Sequence, residues 1–293
     1  MKAAAVSRSE GKLADLTELV KARLSFLVII TTLVGFLAAW TGPMDYVRFA
    51  ATLIGTALSA FGAAALNQWS ERDVDALMRR TQDRPLPARR MPAREGLLFG
   101  LLFSFAGVIC LAALVNLLAA SLAAVTIISY VWLYTPLKRV STLNTLVGAI
   151  PGALPPLIGW AAAKDGIQFG GIVLFMILWF WQMPHFIAIA WMYREDYARA
   201  GFKMLSVGDA RGTISARQSV IYSVCLLAVS LLPSFIGLAN EWYFFGALAL
   251  GLGFWGLAMR FLWLRTRAAA RLLFFASILY LPLLLGLLLA ARG

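Results

Sequence analysis

Residues 67–85 read Asn67-Gln68-Trp69-Ser70-Glu71-Arg72-Asp73-Val74-Asp75-Ala76-Leu77-Met78-Arg79-Arg80-Thr81-Gln82-Asp83-Arg84-Pro85, and they break an otherwise apolar chain with acids followed by arginines. An apolar run over 49–68 leads into them, so the stretch reads as the continuation of a helix. On that helix Asn67, Glu71 and Asp75 fall at i, i+4 and i+8. Each step of four advances about 6 Å and drifts about 40° around the axis, which places three oxygen-bearing side chains on one stripe. Asp73 lies on the far side. An oxygen-only stripe suits a hard divalent cation such as Mg²⁺, and arginines suit phosphate oxygens. The same charges also suit a solvated helix end with intrahelical ion pairs. What surrounds the stretch decides between the two.

Sixty-one per cent of the 293 residues are hydrophobic and only 14% are charged; the mean hydropathy is +0.80. Ten tryptophans and nineteen phenylalanines belong to a chain whose solvent is largely lipid. The net charge of +12 does not point to nucleic acid, because the basic residues are spread over short loops between apolar runs. Cys110 and Cys225 each sit inside an apolar run and read as small core residues. With a single histidine, no zinc site can be assembled.

Nine apolar stretches, at about 24–40, 49–68, 97–115, 119–135, 143–163, 170–191, 218–238, 243–263 and 272–290, are each near the length that crosses a hydrocarbon core of about 30 Å. Backbone groups in lipid must be satisfied within their own segment, so each is expected to be a helix. No cleavage site follows the first run, which is expected to be retained as a span. With the N-terminus inside, the inner segments hold 23 of the 26 lysines and arginines, leaving Arg48, Lys164 and Arg292 outside. The N-terminus is therefore expected in the cytoplasm, together with the two long loops 69–96 and 192–217. The chain is expected to be a single domain over 1–293, an all-α integral membrane protein whose nine transmembrane helices surround a central cavity opening to the cytoplasm. Residues 1–23 form a cytoplasmic N-terminal segment in which Leu13, Leu16, Val20 and Leu24 recur at helical spacing, as in a short helix lying on the membrane surface. In the fifth span, Gly148-Ala149-Ile150-Pro151-Gly152-Ala153-Leu154-Pro155-Pro156 predicts a kink and close approach of neighbouring helices.

The acidic stripe thus sits where the second span meets the cytoplasm, and ionisable groups there need a wet cavity or a ligand. A second acidic pair, Glu195-Asp196, follows the sixth span at matching depth. Jointly the two clusters can hold Mg²⁺ whose remaining ligands are water and a bound diphosphate. Arg80, Arg84, Lys138 and Arg139 can then neutralise phosphate oxygens, although the positive-inside signal alone accounts for basic residues here. That topological role suffices for Arg89, Arg90, Arg94, Arg265, Arg267 and Arg271. His185, in Trp181-Gln182-Met183-Pro184-His185-Phe186, lies inside a span; it reads either as a hydrogen-bonded packing residue or as an iron ligand for haem.

The stretch Asn67 to Pro87 resembles the first aspartate-rich motif of the UbiA superfamily of intramembrane prenyltransferases. Its haem-prenylating branch is matched by Arg80-Thr81, Arg84-Pro85-Leu86-Pro87, Tyr134-Thr135-Pro136-Leu137-Lys138-Arg139, Pro155-Pro156-Leu157-Ile158-Gly159-Trp160, Trp181 to Phe186 and Asp196-Tyr197-Ala198-Arg199-Ala200-Gly201. The resemblance runs from the first span to about Leu205. It implies a Mg²⁺-dependent transfer of a farnesyl group from farnesyl diphosphate to a vinyl group of haem B. By that resemblance Asn67, Glu71, Asp75 and Asp196 bind the metal and, with Lys138, form the catalytic set. Arg80, Arg84, Lys138, Arg139 and Tyr134 hold the diphosphate, and His185 binds the haem. Glu71 stands where most members carry aspartate, and Glu195-Asp196 replaces two aspartates four apart. Competing expectations are a polyprenyltransferase acting on an aromatic quinone precursor and a membrane transporter, although a transporter places its charges nearer the midplane. Expected partners are the two substrates, membrane lipid, and a downstream haem-modifying enzyme or terminal oxidase assembly, with no nucleic acid. The expected location is a prokaryotic inner or plasma membrane.

Overall fold

The computed structural model describes residues 11–292. In chain order the helices are α1 (Lys12–Leu19), α2 (Ala22–Ala39), α3 (Tyr46–Asp75), α4 (Ala93–Leu114), α5 (Leu117–Ile128), a π-helical segment (Ser129–Tyr134), α6 (Thr135–Val140), α7 (Asn144–Lys164), α8 (Phe169–Met192), α9 (Arg194–Arg199), α10 (Leu205–Gly208), α11 (Thr213–Phe235), α12 (Glu241–Leu264) and α13 (Arg267–Ala290). Among the described residues nine helical stretches are long and apolar enough to cross a membrane, α5, the π segment and α6 counting as one. The first acidic motif is carried by α3, which runs seven residues past the apolar stretch expected for it, and the second, Glu195-Asp196, by the short α9 just after α8.

The spans pack in a ring: α3 on α4, α4 on α5, α5 on α7, α7 on α8, α8 on α11, α11 on α12, and α12 on α13, which returns to α8 and touches α2. Phe105, Leu102 and Ile109 on α4, with Trp132 and Leu133 on the π segment, are large apolar groups left facing outward. In water that would be costly; against lipid it is the expected outer surface. Helices in lipid lack a hydrophobic drive toward one another, so they hold together by close contact between small residues. Gly159 of α7 shows this: a Cβ there would collide with the Thr32 carbonyl of α2, as one on Gly35 would with that of Pro156. The α7 segment stays helical through Pro151, Pro155 and Pro156 and is buried along most of its length.

At the opposite end from the acidic motif, Arg48 at the start of α3 pairs with Asp165 beyond α7. Asn116, capping α5, donates to the Ala161 carbonyl (2.9 Å) and to Asp165 Oδ1 (2.7 Å). The hydrogen bond from Arg48 holds the Asp165 carboxyl below the usual aspartate range, against a smaller contribution from burial.

The N-terminal helix departs from expectation. The helix forms, but α1 docks on the bundle with part of the Leu13–Leu24 stripe, Leu16 packing into the cluster it meets and Val20 buried. Leu19 is fully buried and clusters with Ala65 and Leu86. Gln68 donates to the Glu18 and Leu19 carbonyls (2.9 and 3.2 Å), and Arg90 bridges Asp15 (2.9 Å) and Glu18 (2.8 Å). Leu13 and Leu24 remain exposed. Buried backbone and side-chain partners outweigh a weakly amphipathic membrane contact.

Candidate active site

The stripe forms as its spacing dictates, with Asn67, Glu71 and Asp75 only 1%, 5% and 1% exposed, while Asp73 is solvent-facing beside Arg72. Buried charge must be compensated, and each member has a cationic partner drawn from a different element. Glu71 accepts from Lys138 Nζ through both oxygens (2.8 and 3.0 Å). Asp75 Oδ2 accepts from Arg84 Nη1 (2.7 Å), and its backbone carbonyl accepts from Thr81 Oγ1 (2.8 Å). Asn67 donates to Glu71 Oε2 (2.9 Å) and to Thr135 Oγ1 (3.0 Å), and its Oδ1 accepts from Lys21 Nζ (2.6 Å).

Lys21 was not legible as a site residue. It sits in a left-handed turn (φ 49°) between α1 and α2, and that turn aims the chain of an otherwise ordinary basic residue into the cluster. Burial, and next the Arg84 guanidinium, push its ammonium down to about 7. Tyr130 stands beside it, its hydroxyl 3.3 Å from both Lys21 Nζ and Asn67 Oδ1.

Tyr134 and Lys138, four residues apart, share a face by ordinary helical spacing. The segment running up to Tyr134 is π-helical, and Thr135 Oγ1 donates to the Tyr130 carbonyl, five residues back (2.9 Å). Lys138 Nζ lies 4.5 Å from the Tyr134 ring centroid and 5.6 Å from that of Phe202. Gly148 of α7 makes room for Tyr134, since a Cβ there would strike the ring. Arg139, in contrast, is exposed and makes no side-chain hydrogen bond among the described residues, so it stands apart from the cluster.

The loop after α8 meets the stripe through aromatic side chains. Phe202 and Tyr197 pack with Val74 and Met78. Arg80 stacks over the Tyr193 and Tyr197 rings, with centroids at 5.2 and 5.6 Å, and donates to the Tyr197 hydroxyl (3.2 Å). The Lys203 amide donates to the Lys138 carbonyl (2.7 Å), pinning this loop to α6. Asp196 itself accepts from Arg199 (2.6 Å) and lines a separate cavity of about 310 Å³ with Arg79, Arg194, Arg265 and Arg267. No hydrogen bond or ion pair links it to the stripe among the described residues. Arg265 and Arg267, read from sequence as topological charges only, thus share a cavity with a candidate ligand.

His185 lies between α8 and α13, stacked on Trp181 (5.0 Å) and tilted against Phe274 (5.0 Å). Its Nδ1 is 2.6 Å from Ser277 Oγ, and Ser277 Oγ donates to the Phe274 carbonyl (2.5 Å). The hydroxyl has one proton, so His185 Nδ1–H is the donor in their shared bond, and Nε2 keeps its lone pair.

Two carboxylates and a carboxamide form a partial, oxygen-only shell of the kind that fits Mg²⁺ when phosphate oxygens and water supply the rest. Among the described residues no three His, Cys, Asp or Glu side chains close into a cage by themselves. The lysines and arginines that now neutralise the stripe are the groups that would turn to a diphosphate.

A bundle of nine spans with buried acids and phosphate-seeking cations at one end defines a membrane prenyltransferase, and a profile of the UbiA prenyltransferase family matches residues 28–290. The chain belongs to that family and is a prenyltransferase. A protoheme IX farnesyltransferase of Solibacter usitatus is 47% identical over 287 residues, covering 95% of this chain and 98% of the relative. One of Opitutus terrae is 47% identical over 285 residues, covering 97% and 96%. Among solved structures, a digeranylgeranylglyceryl phosphate synthase superimposes with a TM-score of 0.81 at 15% identity, covering 96% of this chain and 98% of that one. A UbiA homologue from Archaeoglobus fulgidus bound to GPP and Mg²⁺ gives 0.68 at 15% identity, covering 94% and 99%.

Proposed function

We propose that the protein transfers a farnesyl group from farnesyl diphosphate to a vinyl group of haem B. The observation that carries this reading is the buried stripe itself: Glu71 and Asp75, each held by a long cationic side chain, at the end of an apolar bundle. The nearly full-length similarity to farnesyltransferases of protohaem supports the choice of substrates. The single domain has loops 69–96 and 192–217 as its active-site loops, on the cytoplasmic face of a prokaryotic inner or plasma membrane, where the excess of lysine and arginine puts them.

Mg²⁺ held by Asn67, Glu71 and Asp75 would draw charge off the departing diphosphate, and Asp196 would join them only by leaving Arg199 and the neighbouring cavity it now lines. Lys138, Arg84 and Arg80 turn from their carboxylate and aromatic partners to phosphate oxygens, and their hold strengthens as the carbon–oxygen bond breaks. Lys21 closes the same cluster from the turn between α1 and α2, and Arg139 serves from the rim. Tyr134, facing Lys138, lends an aromatic surface to the allylic cation and keeps water away. The haem vinyl carbons attack that cation, and the resulting cation beside the porphyrin takes up water and releases a proton, leaving a hydroxyethylfarnesyl substituent. His185 offers Nε2 to the iron, which fixes the porphyrin without taking part in bond making. Incubation of purified protein with haem B, farnesyl diphosphate and Mg²⁺ should yield a more hydrophobic haem by mass spectrometry. Prenylation of an aromatic acid instead, with haem unchanged, would refute the assignment.

A further inference from the structure

We propose that the arginine cavity at the α8–α13 seam binds a bis-carboxylate, the paired propionates of the porphyrin acceptor; this rests on the reading of haem as the acceptor. Five guanidiniums, from Arg79, Arg194, Arg199, Arg265 and Arg267, face only two carboxylates, Glu195 and Asp196, around about 310 Å³. Among the described residues only Arg199 of the five is in an ion pair. The others gather like charge around one cavity, a repulsion that an anionic ligand would relieve. They come from four places in the chain: the end of the α3 motif, α9, the α12–α13 turn and the start of α13. Two are fixed in position. Arg194 stacks on the Trp191 ring at 4.3 Å, and Arg265 occupies a left-handed turn (φ 48°) with its guanidinium 3.3 Å from Thr213 Oγ1. Guanidinium forks match planar carboxylates in pairs.

The cavity is in register with His185. Met192, in its lining, stands seven residues beyond His185 on α8, two turns and about 10 Å along the same face. Arg267 precedes Phe274, the His185 neighbour, by the same seven residues on the antiparallel α13. A porphyrin lying in that seam with its iron at His185 would put its carboxylate edge toward the arginines and its opposite, apolar edge deeper among the spans. Arg79 and Arg80 are consecutive, and Tyr193 both lines the cavity and stacks under Arg80, so the clamp and the diphosphate site share a wall.

The test uses the full chain in phosphatidylcholine nanodiscs and follows tryptophan quenching by protoporphyrin IX and by its dimethyl ester, which lacks the charges. The wild type is expected to bind the free acid about tenfold or more tighter than the ester. Arg194→Gln and Arg267→Gln together should abolish that preference while ester affinity and farnesyl thiodiphosphate binding stay constant, which also shows that the variant is folded. Arg267→Lys, which keeps charge without the fork, should retain part of it. Equal affinity for acid and ester in a wild type that still farnesylates haem overturns the clamp and leaves the acceptor reading intact. Loss of haem turnover with neither porphyrin bound removes both. Arginine-dependent retention of phosphatidylglycerol with porphyrin affinity unmoved assigns the cavity to a lipid phosphate and overturns the proposal.

Discussion

Glu71 and Lys138 show how one buried pair serves two purposes. Each neutralises the other in the structure, and on the proposed mechanism both would take new partners once a diphosphate is bound. Removing one charge alone strands the other, which costs about 3–5 kcal/mol. Glu71→Gln should therefore lower the melting temperature in detergent, and adding Lys138→Met should restore most of the loss without restoring turnover. Lys138→Met alone is expected to reduce turnover about 10²–10³-fold in a prenyl-transfer assay, the scale of one lost donor to a developing oxyanion. Gly148→Ala forces Tyr134 off Lys138; turnover should fall while helix content by circular dichroism is unchanged. The stripe was legible in the sequence because helical spacing alone places Asn67, Glu71 and Asp75. Lys21 was not, since no local pattern distinguishes a lysine in a left-handed turn from any other basic residue before a span. The pairing of Asp196 with Arg199 is an ordinary i,i+3 helical pair, but its placement in a cavity apart from the stripe was not legible, because that depends on how the short α9 helix is turned.

The π segment Ser129–Tyr134 amounts to one extra residue in an otherwise α-helical span. A single alanine inserted after the outward-facing Trp132 exceeds what the π turn already absorbs and should rotate Tyr134 and Lys138 by about 100° relative to the residues before them. Such a variant is expected to insert and melt cooperatively yet show no detectable prenyl transfer. Hydropathy predicted a span of 119–135 here and could not show the π turn or the continuation to Val140, because widened hydrogen bonding leaves no compositional mark. At the other end of the bundle, the Arg48–Asp165–Asn116 clamp ties α3, α5 and α7 together. The Asp165 carboxyl is depressed in the folded state, so its contribution is complete above the unfolded value of about 3.9 and disappears as pH falls through the folded one. Melting temperature should drop more steeply below pH ~4 in the wild type than in Asp165→Asn, whose side chain no longer titrates.

Across the whole molecule, the number of spans among the described residues was readable from apolar run lengths. The docking of α1 was not, because Arg90 lies 75 residues from Asp15 and 72 from Glu18, and nothing local announces so distant a bond. Arg90→Gln should release the helix, and amide exchange over residues 12–19 should accelerate to rates typical of an undocked segment while the spans stay protected. The ring of helices carries one more consequence. Arg292 donates to the Leu37 and Trp40 carbonyls, and α13 lies against α2, so α2 meets this neighbour only after the seven spans between them have been made. Throughout elongation that flank must be shielded by lipid or by the insertion machinery, and a nascent chain stalled before α13 would leave the barrel of helices unsealed along one side.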